Sequence, residues 1–179
     1  MNVIIRKEEE KDVEECIDIN IKEWWSTYKD LIPNEIIEEL QVKNQKRIND
    51  VIKNLREKNN TFVAEVDGKV VGFSSYGKSR NEKFPNSGEI YSCYILDDYH
   101  GLKIGRKLAD KVMESLIKDG YQTMITACLV GNPFNAWHKA LGGKFVCEVI
   151  TNIKGFNFNE NVYYHDNLKK SYEENKKKI

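Results

Sequence analysis

EIYSCYILDDYHGLKIGRKL, residues 89–108, is an apolar strand that ends in two aspartates and then offers glycine, lysine, glycine and arginine as a helix begins. An ordinary turn needs no such corner. The first N–H groups of a helix lack backbone partners and carry a partial positive charge. Gly101 and Gly105 let the chain approach an anion closely, and Lys103 and Arg106 add full charges in or beside the first turn. Strand, corner and helix together can therefore cradle a phosphate. The same residues also read as a solvent-facing turn, because a lone G-x-x-x-G is weak. The stretch is not a Walker loop, and without G-x-G-x-x-G it gives no support to a dinucleotide fold.

Working outward, Val3–Arg6 reads as a short strand. Val13, Cys16, Ile17, Asn20, Ile21 and Trp24 then follow the three-and-four spacing of an amphipathic helix. Pro33 breaks the chain, and Asn34 caps a second helix whose face continues through Ile48, Ile52 and Leu55. TFVAEV, Asp67-Gly68 and KVVGFSSY form a hairpin with a tight primed turn. The polar loop Ser79–Gly88 leads to the strand of the opening stretch. A long helix from about Leu102 to Lys118 follows, then a strand at TMITACLV and a short helix at PFNAWHKAL ended by Gly142-Gly143. KFVCEVITNI, Lys154-Gly155 and NVYYHDNL close the chain as a hairpin, with His165 read as ordinary edge-strand chemistry.

The order is β-α-α-β-β-β-α-β-α-β-β, an α/β (α+β) arrangement. Its alternating middle needs a parallel crossover while its hairpins are antiparallel, so it predicts a mixed sheet with helices on both faces.

At 179 residues the chain fits one domain, taken here as residues 1–168, followed by a lysine-rich tail over 169–179. Lysine plus arginine balance aspartate plus glutamate at 28 each, which gives no field for nucleic acid. Cys16, Cys93, Cys128 and Cys147 show no metal-ligand spacing and read as reduced residues in a reducing compartment. No segment has the length of a signal peptide or membrane span, so the expectation is a soluble, cytoplasmic protein with no membrane partner and no metal. Monomer and homodimer both stay open.

The region Glu89–Val146 resembles the core of the GNAT N-acetyltransferase superfamily. Its Q/R-x-x-G-x-G/A segment falls on His100-Gly101-Leu102-Lys103-Ile104-Gly105. NPFNAWHKALGGKFV, residues 132–146, is similar to the family's N-x-x-A-x-x-F-Y-x-x-L-G-G/F element, and EWWSTYKDLIP, residues 23–33, looks like a W-x-x-T-Y-x-x-L-I-P segment of one bacterial branch. With the matching element order, the likeness covers most of Val3–Leu168. It implies a GNAT-like, mostly antiparallel sheet and acetyl-CoA as acyl donor. The pantetheine arm would lie along Tyr94, Ile95 and Leu96, and the pyrophosphate against the amides of Gly101, Leu102, Lys103, Ile104, Gly105 and Arg106. His100 and Lys103 depart from the motif. Lys103 stands where the family has its first glycine, which a side chain tolerates if its φ is helical and negative.

Acyl transfer to an amine needs a neutral nucleophile, and a lysine-type amine with a pKa near ~10.4 is neutral in only about one molecule in a thousand at pH 7. A carboxylate that takes this proton can therefore help. Glu89 opens the fourth strand where some family members carry their general base; it also reads as an exposed charge at a strand start. Aligning from Asn132 puts His138 where the family's acid tyrosine stands, although a histidine packed beside Trp137 is the plainer reading. Asn132 is a pantetheine partner or a turn residue. Trp24 and Tyr28 are core aromatics or, as the resemblance implies, lining of the acceptor pocket; Glu23, Asp30 and Glu35 nearby would favour a cationic acceptor such as a polyamine. The leading expectation is acetyl transfer to a primary amine by direct attack in a ternary complex. The alternative is a GNAT-like module that binds or senses coenzyme A without turnover.

Overall fold

A computed structural model describes residues 2–179. One seven-stranded sheet has the order β1-β2-β3-β4-β5-β7-β6, with β1 at Val3–Lys7, β2 at Thr61–Val66, β3 at Lys69–Lys78, β4 at Gly88–Ile95, β5 at Met124–Leu129, β6 at Lys144–Ile153 and β7 at Phe156–His165. The helices are α1 Val13–Tyr28, α2 Asn34–Leu40, α3 Gln45–Lys58, α4 Ile104–Lys118, α5 Asn135–Ala140 and α6 Leu168–Lys176. The sheet is mixed and mostly antiparallel, as the element order predicts. The chain falls into two compact units: residues 1–75 with 92–108, and residues 76–91 with 109–179.

In the first unit β2 pairs antiparallel with both β1 and β3. The D-G turn is left-handed at both residues, φ +50° at Asp67 and +85° at Gly68, which is the backbone a two-residue hairpin with right-handed strand twist requires. Helix α1 buries two faces. Cys16 and Ile19 meet Val63 and Val70, with Phe73, Tyr94 and Leu96 packed alongside. Val13 and Ile17 meet Leu55 of α3, with Ile21, Ile48, Val51 and Ile52. The N-terminal helices number three, not two. The single apolar face expected beyond Pro33 is broken after Leu40, and Asn44 caps a new helix by accepting from the Arg47 amide at 2.9 Å. At the base of this layer Arg6 donates to both carboxylate oxygens of the buried Asp12, at 2.6 and 2.9 Å, and to Glu65 at 2.9 Å.

In the second unit β7 pairs antiparallel with β5 and β6. Strand β4 runs parallel to β5 over Gly88–Ile90, opposite Met124–Thr126, and α4 is the crossover that a parallel pair needs. His165 sits on the inner strand β7 and is buried, which corrects its reading as an edge residue; its Nδ1 lies 3.0 Å from Ser171 Oγ. The expected lysine-rich tail is a helix. In α6, Leu168, Ser171 and Asn175 face inward at the three-and-four spacing while the lysines face out, and Asn167 caps it by accepting from the Lys170 amide.

Candidate active site

The corner after β4 belongs to the first unit. Leu96 closes the strand by donating its N–H to Val71 O at 2.9 Å. A 3-10 turn follows at Asp97–Tyr99, and His100 Nε2 reaches back to Ile95 O at 2.9 Å. Gly101 then takes φ +81° and Lys103 φ +60°, and the first residue of α4 is Ile104. Leu102 and Lys103 therefore lie before the helix rather than inside it. The expectation of a helical, negative φ at Lys103 is wrong: the residue stands at a family glycine position and keeps the left-handed backbone that glycine adopts freely. An L-residue pays roughly 1–2 kcal/mol for it. The double left-handed bend delivers the chain into α4 with the amides of Ile104, Gly105 and Arg106 ahead of the first i−4 bond, Lys107 N to Lys103 O at 3.1 Å. A methyl group added to Gly101 would meet nothing within 4 Å, so the bend faces open space. In α1, Trp24 and Tyr28 are half-buried and their rings lie 4.9 Å apart.

Glu89, Asn132 and His138 belong to the second unit. Glu89 is not the exposed strand-end charge considered above; it is 5 % exposed. Its carboxylate is gripped by Arg80, which donates its backbone N–H at 2.7 Å and two guanidinium N–H groups at 3.0 and 2.6 Å. The same guanidinium lies 4.2 Å over the Tyr91 ring, whose hydroxyl donates to Lys78 O. Nothing in the sequence ties Arg80, in a polar loop, to Glu89. Glu160 is a second carboxyl here that the sequence does not reveal. Burial raises its pKa and the charge of Glu89 adds to this, while Arg80 opposes both.

Asn132 is the turn-former. Its Oδ1 accepts from the Phe134 amide at 2.8 Å, and its carbonyl accepts from the Asn135 amide and side chain, at 3.2 and 2.7 Å. His138 is buried with Nδ1 2.8 Å from Thr126 Oγ1, and its ring stacks on Tyr163 at 5.3 Å and 4°. Tyr163 in turn donates to Asn135 Oδ1 at 2.7 Å. Glu89 pairs with Ile125, whereas His138 meets the side chain of Thr126, the next residue along β5. Successive strand residues point to opposite faces, so the candidate base and acid flank the β4–β5 ladder from its two sides.

Burial holds the His138 imidazole well below its usual range, near 4, and that of His165 likewise near 4. Both rings are neutral at pH 7. Burial also pushes the Cys93 and Cys128 thiols up to about 12, so neither is a thiolate nucleophile at neutral pH.

The family model described as the acetyltransferase (GNAT) family matches residues 20–142. The chain belongs to this family and is an acyltransferase of its acetyl-CoA-dependent class. It is 29% identical over 159 residues to the N-acetyltransferase YuaI of Bacillus subtilis strain 168, covering 88% of this chain and 90% of that protein. Among solved structures it resembles yncA of Salmonella typhimurium, described as a putative acetyltransferase with its cofactor acetyl-CoA (TM-score 0.72, 20% identity, 94% of this chain and 95% of that one). It also resembles the PaiA N-acetyltransferase of Thermoplasma acidophilum in complex with coenzyme A (TM-score 0.68, 19% identity, 90% and 98%). Both likenesses are of fold.

Two expectations follow. Lys103→Gly relieves the left-handed strain and raises the unfolding free energy by up to about 1 kcal/mol, whereas a β-branched Lys103→Val lowers it by at least as much; urea unfolding reads both. The folded pKa of the two buried histidines lies below the ordinary value of 6.5. As pH falls from about 6.5 towards 4, the unfolded chain therefore takes up protons that the folded chain refuses, and stability drops through that window. The ring NMR signals of His138 and His165 should stay at their neutral positions at pH 5, and the urea midpoint at pH 5 should lie below that at pH 7.5.

Proposed function

We propose that this protein moves the acetyl group of acetyl-CoA to a primary amine by direct attack in a ternary complex. The observation that carries the reading is the corner at Gly101–Arg106, where two left-handed residues lead into the first amides of a fifteen-residue helix beside Lys103 and Arg106. Those amides and cations fit a diphosphate. The backbone of Tyr94, Ile95 and Leu96 would pair with the pantetheine arm, and Asn132 would reach the same arm or the acyl chain. Trp24 and Tyr28 would line the acceptor pocket, and the branch likeness of the Trp24–Pro33 segment supports that assignment.

The β4–β5 ladder ends at Ile90 and Thr126 while both strands continue. A thioester lying just beyond it would have Glu89 towards one face and His138 towards the other. In this reading the amine gives its proton to the Glu89 carboxylate, directly or through water. It attacks the carbonyl carbon, and a strand amide near Ile95 meets the oxyanion. The C–S bond then breaks, the nitrogen gives up its remaining extra proton as the amide forms, the departing thiolate takes that proton, and coenzyme A leaves as the thiol. With Nδ1 accepting from the Thr126 hydroxyl, a neutral His138 would carry its proton on Nε2 and give the departing sulfur a hydrogen bond. The raised pKa of both thiols supports direct attack over a covalent acyl-cysteine.

The grip of Arg80 on Glu89 favours the second reading, a module that holds coenzyme A without turnover, because three donors already occupy the carboxylate oxygens. A thiol-release assay over a panel of primary amines, beside calorimetry with acetyl-CoA, separates the two. Transfer predicts slow release alone, a sharp rise with one amine class, full activity in Cys93→Ala, and a loss of roughly 10²-fold or more in kcat for Glu89→Gln with cofactor binding intact. Tight binding with no release from any amine overturns transfer in favour of the non-catalytic module.

A further inference from the structure

Beside the corner, within the first unit, Glu23 of α1 comes together with Asp97 and His100. One potential ligand atom from each lies within 4.8 Å of the others. Glu23 is 3 % exposed, and among the described residues its Oε1 has no hydrogen-bond partner. A buried carboxylate oxygen left without a donor is costly, so this oxygen asks for a ligand.

The other two side chains are pre-set for the same ligand. His100 Nε2 lies 2.9 Å from Ile95 O. A carbonyl only accepts, so Nε2 carries a proton towards it and Nδ1 is the ring nitrogen turned to Asp97. Nδ1 is 3.8 Å from Asp97 Oδ1, while Ser26 Oγ donates to Asp97 Oδ2 at 3.3 Å and fixes that carboxylate. A histidine oriented through its other nitrogen by a backbone carbonyl is the usual outer-shell arrangement of a metal ligand. Metal bonds of roughly 2.0–2.2 Å put neighbouring ligand atoms about 3–4 Å apart, so the three groups need close by about 1–2 Å at most.

We infer that Glu23, Asp97 and His100 form a binding site for one divalent transition-metal cation, which ties helix α1 to the turn between β4 and α4. One imidazole and two carboxylates suit Mn2+ or Zn2+. The cation supplies the missing partner of Glu23 Oε1 and cancels the repulsion between two carboxylates. The site goes beyond acyl transfer and does not depend on it.

The test uses the full chain, stripped with chelator and titrated with Mn2+, which thiols bind poorly. Calorimetry is expected to give a single saturable site of stoichiometry near one. Glu23→Gln and Asp97→Asn, each checked for an unchanged circular dichroism spectrum, should weaken it at least tenfold. Pulsed EPR of the wild-type Mn2+ complex should show the nitrogen coupling of one imidazole, a readout that needs no variant. Absence of saturable binding, affinity unchanged in both variants, or a bound Mn2+ without nitrogen coupling each overturns the assignment.

Discussion

Two left-handed residues, Gly101 and Lys103, govern the corner where β4 becomes α4. A strand that ran straight into a helix would spend its first helical amides on neighbouring carbonyls. The bend instead delivers Ile104, Gly105 and Arg106 ahead of the first i−4 bond of the helix. The backbone cost at Lys103, about 1–2 kcal/mol, is offset by what surrounds it. Ile104 and Leu108 are buried at 2 % and 0 % exposure and anchor the helix start, and His100 ties the loop back to Ile95. Strain held in place by a packed helix is the kind that persists at functional sites.

The same economy governs the proton-handling residues. Glu89 is buried, and a buried carboxylate demands donors; Arg80 supplies three. His138 is buried too, and burial keeps its ring neutral at pH 7. Desolvation keeps the thiols of half-buried Cys93 and buried Cys128 protonated. The Glu89 charge is thus held in a carboxylate–guanidinium pair, with Glu160 coupled to both groups. That distribution suits a reaction in which the acceptor's own nitrogen is the nucleophile.

Much of this was legible in the sequence. Alternating and three-and-four spacings place the strands and the long helix, although the last strand starts at Phe156 rather than Asn161 and stops at His165 before Leu168 opens a helix, and Asp67-Gly68 and Lys154-Gly155 mark both hairpin turns. What failed has local causes. The break between α2 and α3 was hidden because Ile36, Ile37, Ile48 and Ile52 keep one apolar rhythm across it. The tail reads as solvated lysines because only Leu168 among its buried residues is apolar; Ser171 and Asn175 are polar. Lys103 misled because a lysine beside a helix start argues for helical φ, whereas the fold holds it to the backbone of a glycine. At the site, Arg80 and Glu160 were out of reach: their partners lie 9 residues away for Arg80, across a loop, and on another strand for Glu160. The orphaned oxygen of Glu23 is invisible to any pattern, since it is defined by burial alone.

The central claim is that backbone amides at the start of α4 hold the diphosphate of coenzyme A. Amide-resolved NMR during a titration with coenzyme A tests it most directly. The account predicts that the N–H signals of Gly101–Arg106 move most and saturate together with binding. If coenzyme A at millimolar concentration leaves these signals in place, or binds while they stay unmoved, the claim is contradicted.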